Sequence, residues 1–201
     1  MTRISFGLDL SLSASGVAAI MNDNDVPRLA VCTVPSLPAT ATVEEELIRM
    51  TRKAGKVITV IRNVMLPGDD CLFNIEGPVV GMIGGKSDER AGLRWIIALN
   101  LRPLGRLMFT PPANVKQFWT GNGAADKKTM MHFAALRYPG MALLDNNAVD
   151  ALSLAAVGAT HLGFNLTPRT PAVNELALAK LRWPVDLLKG SPENVKTTAR
   201  Q

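Results

Sequence analysis

The sequence predicts an α/β domain with a mixed five-stranded sheet flanked by helices. Three short strand-like segments open the chain, a long amphipathic helix follows, and strands and helices then alternate. This order is typical of a sheet that contains parallel and antiparallel strands and is covered by helices. The 201 residues suffice for one such domain, which we expect at residues 1–164, followed by a basic, partly helical or disordered extension at 165–201.

Five segments have the apolar and β-branched composition of strands, and glycine, proline or acidic turn residues bound them. The first is expected to be buried. A turn at 11–16 and a hairpin loop at 22–25 join the first three segments into an antiparallel meander. The predicted strands are 3–10, 17–21, 28–34, 71–76 and 107–110.

Helical spacing of apolar residues predicts the helices. The first is the clearest, because Thr42 and Glu45 match a capping box and the spacing continues from Val43 to about Met65. The remaining helices are predicted at 87–100, in a short segment that starts at 111, at 125–137 and at 146–163. The resulting element order is that of the ribonuclease H-like fold, in which the first and fourth strands are neighbours.

Composition and charge indicate a folded protein with a polyanionic partner. Hydrophobic residues make up 47% of the chain and aromatic residues 5%, which favours an aliphatic core. No apolar run reaches the roughly 18 residues of a membrane span, so we expect a cytoplasmic protein with no membrane partner. Residues 86–128 carry eight lysines and arginines against three acids, and the extension carries six against three. Cys32 and Cys71 are expected to be buried free thiols.

Three carboxylates lie at the edges of apolar runs: Asp9, Glu76 and Asp150. An ionised carboxylate in such a setting is costly to bury unless it is paired, hydrogen-bonded or bound to a cation. In the predicted fold Asp9 lies beside Glu76, and Asp150, near the start of the last helix, completes one acidic pocket. Asn147 precedes Asp150 by three residues and shares its helical face, so its amide oxygen is a candidate neutral ligand. Asp145 is the alternative ligand if the helix starts late.

These residue types favour phosphodiester hydrolysis assisted by metal ions. Mg²⁺ and Mn²⁺ are hard cations that prefer oxygen ligands, and two of them, about 3.5–4 Å apart, activate water and neutralise the leaving oxygen. Lys116 and Lys127 flank a glycine-containing turn at 121–123. Glycine permits a close approach of phosphate to the backbone, and each lysine is a candidate phosphate contact.

Four blocks together resemble the RuvC family of Holliday junction resolvases: GLDLSLSASG at 7–16, IE at 75–76, VKQ at 115–117 with GNGAADK at 121–127, and DALSLA at 150–155. The resemblance implies a homodimer that nicks two strands of a four-way DNA junction, with two Mg²⁺ ions per active site and Mn²⁺ as a substitute. It also implies that Asp9, Glu76 and Asp150 are metal ligands, with Lys116 and Lys127 near the scissile phosphate. The short chain and basic tail resemble phage-encoded members, which act in DNA recombination and repair and in some cases accept broader branched substrates.

The sequence departs from this family in two places. The family usually has an acid or histidine at the position of Asn147. It also often has an aromatic wedge three residues after the catalytic glutamate, where this chain has Val79. Phe73, Met82 or no comparable residue could take over the role of the wedge. Trp95 lies in the helix that resembles the family's dimerisation helix.

Two other functions are compatible with parts of this pattern. The first is a catalytically impaired junction-binding protein, in which Asn147 marks a damaged metal site. The second is an actin-like sugar kinase or ATPase, because residues 7–11 also resemble a phosphate-binding hairpin. The chain has no second motif of that kind, which argues against the kinase.

Overall fold

The computed structural model describes residues 2–23, 26–35, 38, 42–78, 86–139, 145–166 and 177–184. These residues form every predicted strand and helix, with shifted ends. The elements are β1 Arg3–Asp9, β2 Ala14–Asp23, β3 Val26–Pro35, α1 Val43–Arg62, β4 Asp70–Glu76, α2 Ser87–Leu101, β5 Arg106–Thr110, α3 Pro112–Thr120, α4 Lys127–Arg137 and α5 Asn146–His161. The largest difference is at β2, which begins three residues earlier than predicted because its ladders with β1 and β3 continue to the turn.

The five strands form one mixed sheet in the order β3-β2-β1-β4-β5. β2 is antiparallel to both of its neighbours, whereas β1 and β4, and β4 and β5, are parallel. This arrangement confirms the predicted fold class. Leu8 of β1 is paired with Ile75 of β4, so that Asp9 and Glu76 follow at the same edge of the sheet.

Apolar side chains pack on both faces of the sheet. On one face α1 and α2 cover the alternate residues of β1 and β4, where Phe6 and Phe73 stack with ring centroids 5.1 Å apart. On the other face α3, α4 and α5 form a second cluster that includes the fully buried Phe118 and Trp119. Because strand side chains alternate, Asp9 and Glu76 belong to the face covered by α5.

Helix α5 lies unusually close to the strands. A Cβ atom added to Gly7 would lie 1.9 Å from the carbonyl oxygen of Ala151, and one added to Gly16 would lie 1.9 Å from that of Asn147. A Cβ atom added to Gly158 of α5 would lie 2.3 Å from Ser5 Oγ. The glycines therefore let the backbone of α5 rest directly on β1 and β2.

Part of the predicted extension packs against the domain. Ala177 is buried, and its carbonyl oxygen accepts a hydrogen bond from Asn114 Nδ2 at 3.4 Å. Farther along, Trp183 stacks on His161 at the end of α5 with ring centroids 3.7 Å apart. Residues 177–184 thus lie over the second cluster, while the division into residues 1–164 and 165–201 stays a prediction.

Both cysteines are free thiols, as predicted, and Cys71 is buried. The prediction that Cys32 is also buried was wrong: Cys32 is half-buried, because it lies in β3 at the edge of the sheet. No helix in the described part of the chain is both long and apolar enough to cross a lipid bilayer.

Candidate active site

Asp9 and Glu76 meet where β1 and β4 end. Asp9 is 8% exposed, and the backbone of β1 is fixed on both sides because it pairs with β2 and with β4. A hydrogen bond joins the two carboxyl groups; it adds to the rise in the pKa of Asp9 and lowers that of Glu76. Two carboxyl groups can share such a bond only if one of them holds a proton.

The turn after Asp9 is closed by serine hydroxyl groups. Ser11 Oγ donates to the carbonyl oxygen of Ala14 at 2.6 Å and accepts from the Ala14 amide at 3.0 Å. Ser15 Oγ donates to the carbonyl oxygen of Ser11 at 3.1 Å. These hydroxyl groups therefore bond to the backbone of the turn itself.

Asp150 reaches the site from the second turn of α5. The helix begins at Asn146, because Asp145 is its N-cap and the Asp145 carboxylate accepts a hydrogen bond from the Ala148 amide at 2.9 Å. Asp145 is therefore occupied in capping the helix rather than pointing along the face of Asp150. Asn147, in the first turn, is half-buried and precedes Asp150 by the three residues that place both on one face. Its role as a ligand stays a prediction.

The three carboxylates lie in an environment that opposes their ionisation. Burial raises the pKa of Asp9 to about 8, and the charges of Glu76 and Asp150 add to that rise. Burial is also the largest cause of the raised pKa of Glu76, and Asp150 again contributes. The pKa of Asp150 is raised by burial too. A cluster of this kind favours either bound protons or a bound cation.

Lys116 and Lys127 face these carboxylates. Lys127 is the first residue of α4, whose N-cap Asp126 accepts a hydrogen bond from the Thr129 amide at 2.8 Å. The charge of Lys127 lowers the pKa of both Asp9 and Asp150. Lys116, in α3, acts in the same direction on Glu76 and Asp150. The structure thus gathers the five predicted side chains at one edge of the sheet, while their chemical roles stay predictions.

Arg94 is a further cation near the site, to which the sequence prediction gave no individual role. It lies in α2, and its charge lowers the pKa of Glu76. The next residue, Trp95, packs edge-on against Phe109 with ring centroids 5.4 Å apart, and Phe109 is paired with Ile75 beside Glu76. The only sign of Arg94 in the sequence was that it belongs to the basic segment at residues 86–128.

The donor set suits a hard divalent cation. All three acidic groups offer oxygen ligands, and burial, the largest cause of their raised pKa values, makes a bound positive charge favourable. No three acidic, histidine or cysteine side chains among the described residues are close enough to form a ready-made ligand cluster. The bonded pair Asp9 and Glu76 is in contact, whereas Asp150 acts on the pair through its charge. A cation would have to draw the three groups together.

Phe73 is excluded as the aromatic wedge. Its side chain is fully buried and stacks on Phe6, on the sheet face opposite to Asp9 and Glu76. Phe73 and Glu76 are three positions apart on one strand, so their side chains point to opposite faces. The other positions considered for a wedge, Val79 and Met82, lie outside the described residues.

The fold and the site together define a ribonuclease H-like α/β protein with three interacting acidic side chains at the edge of its sheet. Among solved structures, the chain is similar to Thermus thermophilus RuvC, with a TM-score of 0.59 and 14% identity over 82% of this chain and 98% of that one. It is also similar to T. thermophilus RuvC in complex with a Holliday junction substrate, with a TM-score of 0.56 and 13% identity over 92% of this chain and 99% of that one. The fold is therefore RuvC-like. The sequence matches no protein-family model and no curated protein.

Proposed function

We propose that this protein is a structure-selective DNA endonuclease that nicks Holliday junctions or other branched DNA by two-metal-ion phosphodiester hydrolysis. The observation that carries the proposal is the buried group of Asp9, Glu76 and Asp150, faced by Lys116 and Lys127 on a RuvC-like fold. The similar T. thermophilus RuvC structure in complex with a Holliday junction substrate supports branched DNA as the partner.

In this proposal the three carboxylates hold Mg²⁺, or Mn²⁺ in its place, and Asn147 is an additional neutral ligand. When bound, the ions would supply a water nucleophile at neutral pH and positive charge to offset the negative charge that develops on the phosphate. Asp9 gives up its proton when it becomes a ligand, because a metal-bound carboxylate is ionised. The ladders of β1 with β2 and β4 and the capped start of α5 fix the backbone that carries Asp9 and Asp150 before DNA arrives.

Lys116 and Lys127 attract and orient the phosphodiester. Each is a mobile ammonium group beside the carboxylates, and each can donate to a nonbridging phosphate oxygen while the metal ions offset the acidic charge. Lys127 also lies at the N-terminus of α4, where the helix dipole favours an anion. The proposed phosphate contacts and the proposed metal ligands thus lie at the same edge of the sheet.

A cleavage panel tests the proposed function. Wild-type protein with Mn²⁺ or Mg²⁺ should nick a synthetic four-way junction, and EDTA should abolish the products. Three-way and flap substrates report whether the broader specificity of phage-type members applies, and a linear duplex of the same sequence is the matched control. If all branched substrates stay intact with Mn²⁺, or if the linear duplex is cut equally well, the proposal of a structure-selective nuclease fails.

A second candidate is a junction-binding protein without catalysis. It is favoured by Asn147 at the fourth ligand position and by the absence, among the described residues, of a ready-made cluster of three metal-binding side chains. Asn147→Asp separates the two functions. A change from no cleavage to clear cleavage would favour the binding protein, whereas an active wild type would exclude it.

The homodimer is proposed to form through α2. Trp95 is 57% exposed and Leu99 is 71% exposed, and the two residues are one helical turn apart. On the neighbouring α1, Val43 and Leu47 are also exposed. Large apolar side chains that cluster on one face mark a contact surface more often than scattered ones do.

The double substitution Trp95→Glu with Leu99→Lys is expected to convert the dimer into a monomer, because it places charges in an apolar contact. Sedimentation at micromolar concentration measures the change from about twice the 21.6 kDa chain mass to a single chain. Leu136→Lys is the matched control, since Leu136 is 61% exposed on α4, at the opposite face of the sheet. A wild-type monomer, or a double variant that stays dimeric, would contradict the assignment of α2.

A further inference from the structure

A buried set of hydrogen bonds connects the sheet to α5 directly behind the carboxylates. Ser5 Oγ of β1 donates to the carbonyl oxygen of Ala155 at 2.7 Å. Asn74 Nδ2 of β4 donates to the carbonyl oxygen of Leu154 at 2.9 Å. Both donors are fully buried. These bonds cross from strand to helix, unlike the bonds that hold each element together internally.

The orientation of the Asn74 amide is fixed from two sides. A carbonyl oxygen can only accept, so the nitrogen of the Asn74 side chain must face Leu154. Its oxygen then faces β5, where Thr110 Oγ1 donates to Asn74 Oδ1 at 2.6 Å. Thr110 is fully buried as well. Asn74 and Thr110 are thus bonded to each other, and Ser5 bonds to the adjacent carbonyl group of α5. We call the side chains of Ser5, Asn74 and Thr110 the polar clamp.

The surroundings of the clamp explain why directional bonds matter there. The contact between α5 and β1 is made largely by small residues such as Gly7, Ala151 and Gly158, whose surfaces are smooth. Packing of small groups holds two elements close but specifies their relative position weakly. A buried hydrogen bond requires a narrow range of length and direction. If α5 shifted along its axis, the buried donors of the clamp would lose their acceptors, at a large cost in the free energy of folding.

Asn74, Thr110 and the acceptor Leu154 lie within one helical turn or two strand positions of the candidate ligands, or pair with them across the sheet. Asn74 precedes Glu76 by two residues on the same face of β4, and Thr110 is paired with Glu76 across β5. Leu154 follows Asp150 by one turn of α5. A shift of α5 that breaks the bond from Asn74 would therefore also move Asp150 away from Glu76.

We propose that the polar clamp of Ser5, Asn74 and Thr110 sets the position of α5 on the sheet and thereby keeps Asp150 near enough to Asp9 and Glu76 for a divalent cation to draw the three carboxylates together. These are positioning residues, since they act through the helix and touch neither metal nor DNA. The inference rests on the proposed function.

Thr110→Val and Asn74→Leu test the clamp. Each removes a polar partner while keeping similar volume, and each is expected to weaken Mn²⁺ binding by about tenfold or more, as loss of supporting hydrogen bonds does at metal sites. Calorimetric titration of the folded protein measures that affinity without substrate. We expect kcat for junction cleavage to fall, while KM and junction binding in EDTA stay as in the wild type.

Two variants separate positioning from a general loss of packing. Thr110→Ser keeps the hydroxyl group and should restore wild-type Mn²⁺ affinity. Ser153→Ala is the matched control, because Ser153 is equally buried on α5 but bonds only to Val149 of its own helix, at 2.8 Å. If Asn74→Leu fails to fold, Thr110→Val still tests the clamp, because it removes only one hydroxyl group.

The outcomes distinguish the clamp from the proposed function. If the wild type binds Mn²⁺ and cleaves junctions but Thr110→Val behaves like Ser153→Ala, the clamp proposal is overturned and the nuclease stands. If the wild type binds no Mn²⁺, the nuclease proposal falls, and the clamp proposal falls with it because there is no ion to position.

Discussion

Asp9→Asn is expected to abolish cleavage, to retain junction binding, and to make the metal-free protein more stable at pH 7. Catalysis is lost because the variant removes one of the three proposed acidic metal ligands. Stability rises because burial and two neighbouring carboxylates raise the pKa of Asp9 to about 8, so its ionised form is unfavourable in the folded state. Each pKa unit corresponds to about 1.4 kcal/mol, and the expected gain at neutral pH is on the order of 2–4 kcal/mol.

The pH dependence has a definite sign. An acid whose pKa is raised on folding contributes stability that is fully present below its unfolded pKa and is lost as the pH rises through its folded pKa. For Asp9 that window runs from the ordinary value of 3.8 to about 8. Urea unfolding in EDTA at pH 5, 7 and 9 should therefore show a stability difference between Asp9→Asn and the wild type that grows with pH.

The exposed Asp88, in the first turn of α2, provides a matched control for the change of charge. Asp88→Asn should leave cleavage intact and should not stabilise the protein, since an acid near a helix N-terminus is favourable. If Asp9→Asn is no more stable than the wild type at any pH in EDTA, Asp9 does not lie in the strained acidic pocket described above.

Gly7→Ala is expected to destabilise the protein by about 3 kcal/mol and to abolish cleavage, through overpacking rather than through chemistry. The new Cβ would lie 1.9 Å from the carbonyl oxygen of Ala151 and 2.3 Å from the amide nitrogen of Ala155. Both are backbone atoms, so the clash can be relieved only if α5 moves away from β1. That movement carries Asp150 away from Asp9. Thermal or urea unfolding and the junction assay measure the two effects.

Gly55→Ala is the matched control for this substitution. Gly55 is exposed in the middle of α1, and no heavy atom lies within 4 Å of a Cβ added there. Alanine at such a position should stabilise the helix by about 0.5–1 kcal/mol and leave cleavage unchanged. A Gly7→Ala protein with wild-type stability and activity would contradict the close packing of α5 on β1.

The sheet and the three carboxylates could be predicted because their signals are local or follow from element order. Turn residues bounded the strands, a capping box marked α1, and the order of elements placed β1 beside β4. The position of Asp9 next to Glu76 followed from that order, since parallel strands that pair end at the same edge. The turn before β2 was predicted too long because ladder pairing extends a strand beyond its apolar residues.

The polar clamp and Arg94 could not be predicted in the same way. Their effects depend on which residues of distant segments face each other, and a local sequence pattern does not predict such contacts. Strand alternation does hold a partial signal, because Ser5, Gly7 and Asp9 occupy one face of β1 while Phe6 and Leu8 occupy the other. The same alternation on β4 would have removed Phe73 from the wedge candidates, since Phe73 shares a face with Ile75 in the core.

Calorimetric titration of Mn²⁺ into the wild type and Asp9→Asn at pH 7 tests most directly the central claim that the buried carboxylates form a divalent metal site. Because the pKa of Asp9 is about 8, metal binding should release about one proton, detected as a dependence of the heat on the ionisation enthalpy of the buffer. We predict saturable binding with proton release in the wild type and loss of both in Asp9→Asn. Absence of saturable Mn²⁺ binding by the wild type, or equal binding by Asp9→Asn, would contradict the claim.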